Sequence, residues 1–290
     1  MEKCNLCPRH CNVNRSENIG FCKLNNKVKL ALVKVHYGEE PIISGENGSG
    51  TIFFSGCNLR CVYCQNYNVS NNNFGKEISV ERLAEIFKEL EKKGVNNINL
   101  VSPTPYAQLI VEALKIYKPK VPVVYNTHGY DDVNTIKMLK DYVDIYLTDF
   151  KYAFNQLGME YSLVSDYCSK VIMAINEMKK NQPVDVIEDG VMKKGVIIRH
   201  LILPNHTDNS VEVLNKIKQN WGTDTIISVM AQFTPCGQCK KYEKINRPIT
   251  KLEHKRVLSY INQCGFKNGF IQSLESVGEE EIPNFNLNGV

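Results

Sequence analysis

Short apolar runs alternate with amphipathic stretches along the 290-residue chain, and this alternation limits its architecture more than any other feature. "TIFFSG" (51–56), "NINLV" (97–101), "VPVVYNT" (121–127), "VDIYLTDF" (143–150), "GVIIRHLIL" (195–203) and "TIISVMAQF" (225–233) are rich in β-branched residues and nearly all apolar, so they read as buried strands. Helix signals follow at 79–94, 106–117, 132–141, 166–180, 210–220 and 250–264. The first places Leu83, Ile86, Phe87 and Leu90 at helical spacing behind a Ser79 cap. The last opens on the capping box Thr250 and Glu253. Six strand–helix units predict an α/β fold with a parallel sheet covered by helices, as a doubly wound sheet or a partial barrel. In both architectures, functional groups gather at the C-terminal ends of the strands. Asp189-Gly190, between two extended runs, predicts a hairpin before the fifth strand.

The cysteines come next. There are eleven, against a mild formal charge of +4 with acidic and basic residues interspersed. No Lys/Arg cluster forms a nucleic-acid face, and no window approaches the roughly 18 apolar residues of a membrane span. The opening "MEKCNLCPRHC" lacks the apolar core of a signal peptide, so a cytoplasmic location is expected. Thiols stay reduced there, and crowded cysteines point to metal or cluster ligation rather than disulfides.

"SGCNLRCVYCQN" (55–66) holds Cys57, Cys61 and Cys64 just after the first strand of the series. The spacing Cys-x3-Cys-x2-Cys lets one loop wrap three corners of an iron–sulfur cubane. Protein cysteines normally supply four ligands, so three leave one iron open to an outside molecule. A zinc knuckle borrowing a distant fourth ligand is the alternative, and the placement at a strand end disfavours it.

These residues carry a resemblance to a family. Cys57, Cys61 and Cys64, with Tyr63 before the last cysteine, resemble the signature of the radical S-adenosylmethionine superfamily. "CNLCPRHCNVNR", "GFC", "FFSGCNLRCVYCQN", "NINLVSPTPY", "YNTHGY", "DIYLTDFKY", "GVIIRHLILP" and "MAQFTP" are similar to successive motifs of its pyruvate formate-lyase activating enzyme-like group. The resemblance implies an open partial (β/α)6 barrel (46–275) with a small Cys-rich N-terminal lobe (1–45) and a C-terminal tail (276–290). It also implies a [4Fe-4S] cluster whose open iron binds the amino and carboxylate groups of S-adenosylmethionine, and one-electron cleavage to methionine and a 5′-deoxyadenosyl radical that abstracts hydrogen. A flavodoxin or ferredoxin would supply the electron.

Further candidates line the predicted strand ends. Asp149 and Lys151 match the Asp-x-Lys pair of activating enzymes and suit the charged methionine end of the cofactor or a cation; an exposed ion pair is the alternative. Arg199 interrupts an apolar strand, where a charge needs a partner. A cofactor carboxylate fits its fork, and so does a buried structural salt bridge. His200, on the opposite face by alternation, is expected to pack or hydrogen-bond. Asn126 and Thr127 are candidate cofactor contacts, His128 an acid, base or hydrogen-bonded rim histidine, and Gln232 a weaker candidate of the same kind. Many superfamily members carry a Gly-Gly-Glu-like stretch after the second strand; here it reads "VSPTP", with Ser102 and Thr104 as polar replacements.

Two cysteine groups remain. Cys4, Cys7, Cys11 and Cys22 form a complete set of four, suited to structural zinc or to an auxiliary iron–sulfur cluster. Cys236 and Cys239 lie beyond the sixth strand as free thiols, a redox pair, or ligands of a second cluster with Cys168 or Cys264. Three functions are consistent with these features: an activase abstracting hydrogen from a backbone glycine of a glycyl radical enzyme, a radical enzyme acting on a small molecule or peptide, or a non-enzymatic metal-binding module.

Overall fold

In the computed structural model the described residues are 3–274 and 283–290. In chain order the elements are β1 (Val28–His36), α1 (Pro41–Ser44), β2 (Ser49–Phe54), α2 (Tyr67–Ser70), β3 (Lys76–Ile78), α3 (Val80–Lys92), β4 (Ile98–Val101), α4 (Ala107–Ile116), β5 (Val123–Thr127), α5 (Val133–Met138), β6 (Ile145–Asp149), α6 (Asn155–Ser162), α7 (Tyr167–Asn181), β7 (Val186–Glu188), β8 (Val191–Leu201), α8 (Thr207–Trp221), β9 (Ile226–Met230), α9 (Lys251–Cys264) and β10 (Gly269–Ile271). They build one sheet in the order β10-β9-β8-β6-β5-β4-β2-β1-β3, with β7 hairpinned onto β8. From β2 to β10 the neighbours are parallel, while β1 and β3 add an antiparallel edge beside β2. The order does not close, so the architecture is the expected open partial barrel.

Strand alternation divides the sheet into two faces. Ile52 and Phe54, Ile98 and Leu100, Tyr125, Tyr146, Val196 and Ile198, and Ile227 and Val229 meet the helices in the main core. The opposite, inner face is apolar at its lower end, where Val124, Ile145, Leu147, Ile197 and Ile226 pack around Ile43 of α1. One residue pair further along the same strands it becomes polar: Asn126, Asp149 and Arg199 follow Val124, Leu147 and Ile197. This switch from apolar plug to charged layer forms the floor of the site.

The helices begin for local reasons. Ser79 caps α3 by accepting from the Arg82 N–H, and Thr250 and Glu253 form the full capping box of α9. Residues 28–36, within the stretch 1–45 assigned to the N-terminal lobe, form β1 of the sheet. Five of their nine positions are buried, and they pair with β2 from Leu30 opposite Phe54 to His36 opposite Ser49. Helix α6 had not been read from the sequence, and α5 stops at Met138. Of the expected tail, residues 283–290 return to β1, where Val33 N–H donates to the Asn288 carbonyl; 276–282 lie outside the described residues. Among the described residues no helix is long and apolar enough to cross a membrane.

Gly129 joins the end of β5 to the end of β6. Its φ is +81°, and an added Cβ would lie 2.3 Å from the Asp149 carbonyl oxygen. Gly94, just past α3, has φ +76° but open space around it. Gly94→Ala should therefore lose only the ~1–2 kcal/mol of the left-handed backbone. Gly129→Ala should lose a further ~1–3 kcal/mol for the backbone collision. Urea denaturation of both variants checks this, and equal losses would refute a rigid β5–β6 junction.

Candidate active site

A cavity of about 250 Å³ opens on the inner face, lined from the C-terminal ends of β2, β4, β5, β6, β8 and β9. Cys57, Cys61 and Cys64 form one wall. Ser102, Asn126, Thr127, Asp149, Lys151, Arg199 and Gln232 contribute from successive strand ends, with Glu39 from the turn after β1. Six strands thus deliver one residue set to one place, as a parallel sheet covered by helices does.

The cysteine loop is held before any ligand arrives. Leu59 N–H donates to Cys57 Sγ at 3.3 Å and the Ser162 hydroxyl to Cys61 Sγ at 3.0 Å. Because Ser162 donates, its oxygen accepts from Tyr152 (2.7 Å), and Tyr152 in turn accepts from Tyr63 (2.6 Å). A one-way chain of hydroxyls therefore ends on a cysteine sulfur, and such bonds tune thiolate ligands. Asn58 is clamped on both sides, donating to the Tyr130 carbonyl at 2.9 Å and meeting His128 Nε2 at 2.7 Å. His128 Nδ1 accepts from the Tyr130 N–H, so Nε2 carries the proton and donates to Asn58. Burial holds the His128 pKa down, which fits this neutral role of bracing the loop.

Burial pushes the Cys57 thiol up to about 12, with Cys61 adding to it, and raises Cys64 as well. As free thiols these groups hold their protons, and a metal centre that binds thiolates must displace them. Among the described residues no three His, Cys, Asp or Glu side chains close to single-ion spacing. The three sulfurs instead border an open cavity, which suits a polynuclear cluster with one free corner. In this sense the donor set fits the group that the sequence implied.

Opposite the cysteines stands a network of charges. Asp149 and Arg199 are register partners on β6 and β8. Arg199 Nε donates to Asp149 Oδ1 at 2.9 Å, its Nη2 to Asn126 Oδ1 at 2.6 Å, and its Nη1 lies 3.4 Å from Glu39 Oε2. Lys151 Nζ donates to the other Asp149 oxygen at 2.6 Å. Burial alone would raise the Asp149 carboxyl, but Lys151 and Arg199 together hold it at about 2. Burial raises Glu39 despite Arg199 and the Asn99 amide that donates to it. Glu39 escaped the sequence reading; the adjacent carboxylates of "GEEP", set between a strand and an apolar turn, were the available signal.

Other expectations sort by position. Tyr63 and Ser102 line the cavity, Ser102 with a left-handed backbone (φ 58°). Thr104 does not: its hydroxyl donates to Asp131 at 2.7 Å behind the wall, so its place among the cofactor contacts is corrected. His200 faces the helices, as alternation predicts, between the Phe150 carbonyl and Ser210. Cys236 donates to the Tyr63 carbonyl at 3.1 Å, against the cysteine loop, and Cys239 is buried beside it. Cys168 lies near Lys216 and Glu212, and Cys264 near Tyr260.

The fold and the site define an open partial-barrel protein with three cysteines and a charged layer facing one cavity at the strand ends. The chain belongs to the radical SAM superfamily, whose family profile matches residues 51–217. The uncharacterized protein MJ0674 of Methanocaldococcus jannaschii is 34% identical over 267 residues, covering 89% of this chain and 73% of that protein. The pyruvate formate-lyase-activating enzyme of Clostridium pasteurianum is 26% identical over 226 residues, 75% of this chain and 88% of that enzyme. The structure of Streptococcus suis SuiB bound to S-adenosylmethionine matches in fold, with a TM-score of 0.50 at 16% identity over 75% of this chain. This chain spans 48% of SuiB, about half of its length.

The charge network makes a pH-dependent prediction. Asp149→Asn removes the acceptor shared by two buried cations and should lose about 3–5 kcal/mol at pH 7. Folding depresses the Asp149 pKa, so its contribution is complete above the unfolded value of 3.8 and fades as pH falls toward about 2. Urea titrations of the metal-free protein should show the gap between wild type and variant narrowing by about 2 kcal/mol over that window. A gap unchanged from pH 4 to 2 would rule out ion pairing as its source.

Proposed function

We propose that the chain is a radical SAM enzyme carrying a [4Fe-4S] cluster on Cys57, Cys61 and Cys64, with S-adenosylmethionine in the adjoining cavity. The observation that carries this reading is the pairing of three thiols with a charged layer across one cavity at the strand ends. The groups supply, when bound and reduced by one electron, cleavage to methionine and a 5′-deoxyadenosyl radical that takes a hydrogen atom from substrate. The chain's own residues bind, orient and exclude water. Lys151, engaged by Asp149 through one of its three donors, has others to offer a cofactor carboxylate. Asn126 and Ser102 offer polar contacts beside it, and Asp149 sets negative charge near a sulfonium. Arg199, already bonded to Asp149 and Asn126 and paired with Glu39, acts chiefly to hold those acceptors in place.

The likeness to a pyruvate formate-lyase-activating enzyme over most of that enzyme's length supports a glycyl residue of a partner enzyme as the hydrogen donor. A flavodoxin or ferredoxin is the fitting electron donor. One observation favours a small molecule or peptide instead: Pro283 of the C-terminal segment lines the cavity and Phe285 packs edge-on against Phe53, 5.4 Å between centroids, narrowing the approach. Anaerobically reconstituted protein given S-adenosylmethionine and dithionite should form 5′-deoxyadenosine, and the Cys57→Ala, Cys61→Ala, Cys64→Ala variant should form none. Wild-type protein that holds no iron at these cysteines would overturn the reading.

A further inference from the structure

The four N-terminal cysteines surround a cavity of their own. Cys4, Cys7, Cys11 and Cys22 line an enclosed space of about 20 Å³ together with Arg9, Arg15 and Asn58. The loop reaches this shape through left-handed residues at His10 (φ 41°) and Asn12 (φ 54°), and is tied by Cys4 N–H to the Val13 carbonyl and His10 N–H to the Cys7 carbonyl. Gly20 sits between two of the sulfurs: a Cβ there would lie 3.5 Å from Cys22 Sγ and 3.7 Å from Cys11 Sγ. A side chain at this position would contact both sulfurs.

Two observations concern what belongs in that space. Arg15 borders it with Nε and Nη2 buried and without a hydrogen-bond acceptor among the described residues. Buried guanidinium donors without acceptors are expensive, and an anionic centre in the cavity would supply the acceptors. The spacing of the ligands selects the kind of anion. Structural zinc sites typically draw their ligands as two close pairs around one ion, with all sulfurs about 2.3 Å from it. Here three cysteines share one short loop and the fourth comes from a distance, the pattern of ferredoxin clusters.

The geometry points to a second [4Fe-4S] cluster, fully ligated by Cys4, Cys7, Cys11 and Cys22, with Arg15 donating to its sulfurs. It stands directly beside the first site. Asn58 lines this cavity, while its neighbours Cys57 and Leu59 line the other. Arg9, stacked 3.8 Å over Phe21, donates to the Asn58 and Ser162 carbonyls at 2.9 and 3.0 Å, so the N-terminal loop is fastened to the residues that hold the catalytic cysteines.

The test is iron and acid-labile sulfide per chain after anaerobic reconstitution of full-length protein, with zinc assayed in parallel. Wild type should hold about eight irons, and the Cys57→Ala, Cys61→Ala, Cys64→Ala variant about four with a reducible paramagnetic signal. About four irons in wild type that vanish in the triple variant would overturn this site and leave the catalytic cluster standing. One zinc per chain that survives reconstitution in the triple variant would overturn it as well. About four irons that persist in the triple variant would support this site and remove the cluster from Cys57, Cys61 and Cys64.

Discussion

Arg199 and Asp149 face each other across the β6–β8 boundary, on a face of the sheet that is apolar two residues earlier. A lone charge at either position would be prohibitive in such surroundings, whereas the pair, with Lys151, Glu39 and Asn126 around it, supplies each charge with a partner. The rest of the site depends on this compensation. It lets the inner face stop being core and start being a binding surface without a change of fold, and it fixes the acceptors before any ligand enters. A ligand bearing both signs of charge can then exchange contacts with the network instead of desolvating an isolated ion. This is why a zwitterionic amino-acid group is a natural occupant of the space between these residues and the cysteines.

The cysteine wall solves a different problem. Burial raises the Cys57 and Cys64 thiols, so they keep their protons and the loop must be shaped by contacts that need no metal. Asn58 bridged between His128 and Tyr130 supplies one, and the hydroxyl chain from Tyr63 through Tyr152 and Ser162 to Cys61 supplies another. Ser162 ends α6, so this helix, absent from the sequence reading, is part of what positions Cys61.

What the sequence disclosed followed from periodicity and spacing. Buried parallel strands are continuous apolar runs, and the cysteine loop follows one of them, so the fold class and the position of the three cysteines on the cavity could be read directly. The inward Arg199 stood out because it breaks such a run. What stayed hidden depends on contacts between distant segments. Glu39 reaches the cavity only because β1 pairs antiparallel with β2 and the turn after it folds under the strand ends, and no local pattern announces that pairing. Thr104 looked equivalent to Ser102 because composition does not reveal which hydroxyl a buried Asp131 will take. Helix α6 is short and weakly amphipathic, and it begins without a side-chain cap, so its signals fell below those of its neighbours.

The contact between the N-terminal loop and the Cys57–Cys64 loop follows from the same economy of space. Gly56, one residue before Cys57, packs against the Cys22 carbonyl so closely that a Cβ would lie 2.7 Å from it, and Arg9 bonds the backbone on the far side of Cys57. A segment with few apolar residues of its own is thus ordered against the very loop whose geometry matters most. Each of the two cysteine loops packs against the other: Arg9 bonds the Asn58 carbonyl, and Asn58 lines the N-terminal cavity. Coupling of that kind needs no moving part. It arises because a single stretch of backbone, Cys57 to Leu59, borders both cavities at once.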